Sequence, residues 1–73
     1  MIIDISDKGV GAWQEAISKT VPGDQIVYHK GAFCAGNHRR AAMEASNRKL
    51  VCLVQRKVGS GEFHYIAQRI DVL

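Results

Sequence analysis

No catalytic constellation stands out in this chain: there is no nucleophile-base-acid set, no HExxH and no phosphate-binding glycine loop, and the carboxylates are few and scattered. We therefore expect a protein that is not an enzyme and holds no cofactor. A length of 73 residues points the same way. A core this small supplies roughly 3–5 kcal/mol, and a deep pocket would consume much of it. The longest apolar run, Leu50 to Val54, is far too short to cross a bilayer, so no membrane association is expected. The N-terminal MIIDISDKG is acidic and lacks the basic start of a signal peptide, which places the chain in the cytoplasm. Cys34 and Cys52 form no CxxC pair and read as free thiols, Cys52 as a small buried hydrophobe in a strand. No metal site is expected. His29, Cys34, His38 and Cys52 lack the paired close ligands that zinc sites show at each end. Repeats, low-complexity runs and linkers are missing too, so residues 1–73 form one domain.

What is present is a basic half. Residues 1–24 carry four carboxylates against Lys8 and Lys19, whereas residues 25–73 carry eight Lys or Arg against Glu44, Glu62 and Asp71. Such a dipolar chain suits a polyanion or an acidic protein partner, although a solvated surface of ordinary scatter explains the charge equally well.

The periodicities give the order α-β-α-β-β. Residues 1–8 read as a flexible or extended arm, with Asp7 a natural N-cap for a helix over about 9–20. Val10, Trp13, Ala16, Ile17 and Thr20 line one side of that helix, and Pro22-Gly23 ends it. Trp13 reads as the large core residue. A strand begins at Gln25. Residues 32–49 are a second helical region interrupted by Gly36, with Asn37 the expected N-cap of a helix running to about Lys49. Whether 31–49 is one helix or two stays open at this stage. Strands from about 50 and 62 flank a Gly59-Ser60-Gly61 tip, read either as a three-residue loop or as a two-residue Ser60-Gly61 loop. The economical fold is an α+β domain with a three-stranded antiparallel sheet and the helices on one face.

On the 37–49 helix, Ala41, Ala42 and Ala45 share one side, while Arg39, Arg40, Met43, Ser46 and Asn47 lie on the other. Arginine, serine and asparagine reach phosphates and base edges when a helix lies in a major groove. Against this, Glu44 stands four residues from both Arg40 and Arg48, so intrahelical ion pairs would occupy two arginines. Met43 facing the core would turn the alanines outward instead. Arg56 and Lys57 approach the hairpin tip and Arg69 lies at its far end; basic residues on a wing contact backbone or minor groove, yet on an edge strand they also discourage sheet-to-sheet association. Tyr28, Phe63 and Tyr65 offer a stacking platform for single strands, although aromatics on a small sheet are more often core.

The pattern Tyr28-His29-Lys30-Gly31, then Arg39 or Arg40, then Val51-x-Leu53-Val54-Gln55-Arg56-Lys57 and Gly61-x-Phe63-x-Tyr65-Ile66-Ala67-x-Arg69, resembles small phage- and prophage-encoded proteins of undefined role. Those proteins look like winged-helix domains. The resemblance spans about residues 25–70 and implies a winged-helix-like fold, a bacterial host cytoplasm and, by analogy, duplex DNA as partner. A full winged helix has two helices between its first two strands, and residues 31–49 offer one good helix plus at most a turn. The expected DNA contacts are Arg39, Arg40, Ser46, Asn47, Arg56 and Lys57, with a homodimer enlarging the DNA surface that one small domain covers. The other reading is a protein-protein interaction module using the same basic face.

Overall fold

A computed structural model describes residues 1–9, 11–31 and 38–70. The elements are β1 (Ile2–Asp4), α1 (Ala12–Lys19), β2 (Gln25–Gly31), α2 (Arg39–Asn47), β3 (Val51–Gly59) and β4 (Glu62–Arg69). From α1 onwards the order is the α-β-α-β-β of the sequence reading. The sheet is not three-stranded and antiparallel, however. It has four strands in the order β1-β2-β4-β3, and β1 runs parallel to β2 while β4 is antiparallel to both its neighbours.

The extra strand lies in the stretch read as an arm. Three residues are too few to carry a periodicity, and β1 is held by contacts that only the fold supplies. Ile3 pairs with Ile26, the Ile5 amide donates to the Val27 carbonyl, and Ile5 itself is buried. The Lys30 ammonium meets the Asp4 carboxylate at 2.6 Å, and the Met1 amine meets Asp24 at 2.9 Å.

Asp7 does not cap α1. The helix starts at Ala12 behind Gly11, which takes φ 96° and offers no side chain, and Asp7 instead lies in the turn that follows β1. The expected helical position Val10 falls outside the described residues. The helix ends where expected, before a turn in which the Asp24 carboxylate accepts from the Val21 amide.

Both helices cover one face of the sheet. Trp13 and Ala16 of α1 and Ala42 and Ala45 of α2 pack with Ile26, Tyr28, Val51, Tyr65 and Ala67 in one cluster. The Trp13 and Tyr28 rings meet edge to face, 6.2 Å apart at 89°. Tyr28 and Tyr65 are buried beneath the helices, which removes them as a platform for single strands. A bulge between Val27 and His29 puts His29 beside Tyr65, with ring centroids 5.7 Å apart. The opposite face of the sheet bears Val27, Cys52, Val54, Arg56, His64, Ile66 and Gln68, following the strand alternation. Cys52 is consequently exposed rather than buried, because its strand alternates and neither described helix covers its side.

Candidate nucleic-acid interface

Residues 39–47 form a helix because RRAAMEA is built of strong helix formers, and the alanines fix its orientation. Ala42 and Ala45 are buried and Ala41 half-buried, so the backbone of α2 can approach the sheet closely. Arg39, Arg40, Met43, Glu44 and Asn47 are exposed on the other side. The arginine side thus faces outward, and Met43 does not enter the core. Ser46 departs from the expected set. It is half-buried on the flank of the alanine stripe.

The C-terminal end of α2 explains why the helix stops two residues early. Lys49 takes φ 61°, its amide donates to the Ser46 carbonyl, and the Leu50 amide donates to the Ala45 carbonyl. This is a Schellman cap with lysine where glycine usually stands. At the other end, His38 precedes the first turn without a capping side-chain bond to the helix. The expected cap Asn37, the break at Gly36 and the thiol of Cys34 lie outside the described residues.

β3 and β4 form the hairpin. Gly59 pairs with Glu62, which resolves the tip as the two-residue Ser60-Gly61 loop, with Gly61 at φ 68° and a register shift between Lys57 and Gly59. Lys57 pairs with Phe63 on the face that carries the helices, whereas Arg56 pairs with His64 on the open face. Successive residues of a strand point to opposite sides, so the fold brings Lys57, and not Arg56, to the side of α2. Arg69, at the far end, is half-buried opposite Val51.

The electrostatics divide the cations into two groups. Lys19 pairs with Glu15 at 2.7 Å and Lys30 with Asp4 at 2.6 Å. The exposed pair with Glu15 holds that carboxyl below its usual value, and Asp4 raises the Lys30 ammonium. By contrast, among the described residues no carboxylate lies within ion-pair reach of Arg39, Arg40, Arg48, Lys49, Arg56 or Lys57. The Glu44 pairs that would have neutralised Arg40 and Arg48 are not formed. Arg48 and Lys49 were not among the expected contacts: Arg48 entered the sequence reading only as an i,i+4 partner for Glu44, a place it shared with Arg40, and Lys49 only as the end of the helix.

The described residues include no group of three metal-ligating side chains. No described helix is long and apolar enough to cross a membrane. Between α1 and α2 runs a shallow groove of about 120 Å³ lined by Trp13, Gln14, Ile17, Ala41, Glu44 and Arg48 among others. Compared with protein-family models, with curated proteins and with solved structures, the chain gives no match.

Proposed function

We propose that this chain is a small, non-enzymatic, winged-helix-like protein that binds duplex DNA as a regulatory or accessory factor of phage type in a bacterial cytoplasm. The observation that carries this reading is the set of six exposed cations on α2, its cap and β3 with no carboxylate partner among the described residues. A helix that buries only alanines and presents Arg39, Arg40 and Asn47 has the shape and chemistry to enter a major groove. β2, β4 and β3 are arranged with β4 between the others, α2 precedes β3, and the hairpin follows. That is the order in which a winged helix supplies recognition helix and wing. Arg39, Arg40 and Asn47 are assigned to the groove, Arg56 and Lys57 to the backbone beside the wing, and Ser46 to the edge of the contact.

Replacing Arg39, Arg40, Arg56 and Lys57 together with Ala tests the reading. A variant that stays folded by circular dichroism and binds a random duplex as tightly as the parent removes it.

A second reading, an interaction module for an acidic protein, draws on the position of Arg56 across the sheet from α2. It predicts complex formation that added duplex does not disturb.

A further inference from the structure

β3 is an edge strand. Among the described residues it pairs only with β4, so along its nine residues the backbone N–H and C=O groups of every second residue point outward from the sheet. The other edge, β1, has three residues. Natural edges are blunted by shortness or charge, and β3 is long and charged only in its distal part, at Arg56 and Lys57. Its remaining exposed face carries Cys52, Val54 and Val58, the two valines 40% and 46% exposed.

We propose that the occupant of this edge is a second copy of the chain, pairing β3 antiparallel to β3 about a two-fold axis at Val54. The register follows from charge and face. Directly opposed residues of an antiparallel pair share a face, so the axis must pass through a residue pair of identical number. An axis at Cys52 would set Arg56 against Arg48 of the second copy. At Leu53 it would set Lys57 against Lys49, and at Arg56 or Lys57 it would oppose like residues. In the middle of the strand only Val54 and Gln55 avoid these repulsions; axes at its ends, such as Val51 or Val58, avoid them as well but leave little of β3 paired. An axis at Val54 opposes Val54 to its equivalent, Val58 to Leu50, Arg56 to Cys52 and Lys57 to Val51. An axis at Gln55 opposes two amides and leaves each valine facing a different side chain. The Val54 register therefore covers the exposed apolar side chains and places every cation opposite a neutral group.

The joint sheet has eight strands, and because the axis stands perpendicular to it, all four helices lie on one face. The two α2 helices then flank the seam and share one basic surface. This pairing stands independently of the DNA reading, since it needs no nucleic acid.

Sedimentation equilibrium of the reduced protein without DNA should give twice the 8.1 kDa chain mass. Val54→Lys, which puts two ammonium groups on the axis at an already exposed position, should give the chain mass with unchanged circular dichroism. Single cysteines introduced at 54, 55 or 56 in a Cys34→Ser, Cys52→Ser background locate the axis under mild oxidation with diamide. Val54→Cys should cross-link to a dimer several-fold faster than Gln55→Cys or Arg56→Cys. A parent protein that stays monomeric up to the concentration of an NMR sample would overturn the proposal. So would a dimer insensitive to Val54→Lys, or equal cross-linking at the three positions.

Discussion

The Nε2 atom of His38 donates a hydrogen bond of 3.1 Å to the carbonyl oxygen of Lys8, thirty residues earlier in the chain. A carbonyl can only accept, so the bond fixes the tautomer with its proton on Nε2. His38 is buried and immediately precedes α2, and Lys8 lies in the loop between β1 and α1. The bond thus ties the start of the arginine-bearing helix to the loop between β1 and α1. His38→Ala removes the donor, and it should cost about 1–3 kcal/mol in urea unfolding, the usual cost when a buried polar group loses its partner. His38→Gln, which can still donate, should recover part of that loss.

Lys49 gives a prediction of opposite sign. A side chain at φ 61° costs roughly 1–2 kcal/mol, and glycine is free of that strain although it loses more chain entropy on folding. Lys49→Gly should therefore raise stability by about 0.5–1 kcal/mol in the same unfolding measurement. A loss of stability would mean that the lysine side chain contributes more to the cap than the strain takes away.

Acid should loosen the β1 edge. Partial burial pushes the Asp4 carboxyl up, but hydrogen bonds from Lys30 and from the amide and hydroxyl of Ser6, with the Lys30 charge, outweigh it and hold the group at about 2 against an ordinary 3.8. A depressed carboxyl stabilises the folded state above its unfolded value, and that contribution disappears as pH falls from 3.8 toward 2. Asp4→Asn should flatten the pH dependence of thermal unfolding in that window. A residual slope is expected from Asp24, whose carboxyl is lowered chiefly by its hydrogen bond from the N-terminal ammonium.

The alternation of β3 makes the two wing cations unequal. Lys57 shares the face of α2 and Arg56 lies on the other face. Lys57→Ala should lower the salt dependence of duplex binding by about 0.9 in log-log slope, the value for one phosphate contact, and Arg56→Ala should lower it less. The reverse ranking would indicate that the open face of the sheet carries the nucleic acid.

The sequence showed those parts of the fold whose signal is local. Trp13, the alanine stripe of α2, and the apolar strands around the glycine tip all carry a periodicity or a turn residue that survives without context. β1 escaped because three residues have no period and its pairing partner lies more than twenty positions away. The cap of α1 was misassigned because Asp7 has the right chemistry, but Gly11 stands at the helix start. Cys52 was misjudged because a cysteine in a hydrophobic strand was read as buried, whereas the strand alternation turns it to the face opposite the two described helices. For the site, residue type identified the cations of α2 and β3. It could not tell that Glu44 pairs with neither Arg40 nor Arg48, or that Arg56 and Lys57 diverge, because both depend on side-chain geometry and strand register.

Fluorescence anisotropy of a labelled random duplex, titrated with the protein at salt concentrations from about 50 to 200 mM, tests the central claim most directly. If α2 and the wing engage DNA through these cations, affinity should fall by orders of magnitude across that range. The Arg39, Arg40, Arg56 and Lys57 quadruple alanine variant should lose most of the slope. Absence of binding at the lowest salt, or binding that ignores both salt and the four substitutions, would contradict a DNA-binding role.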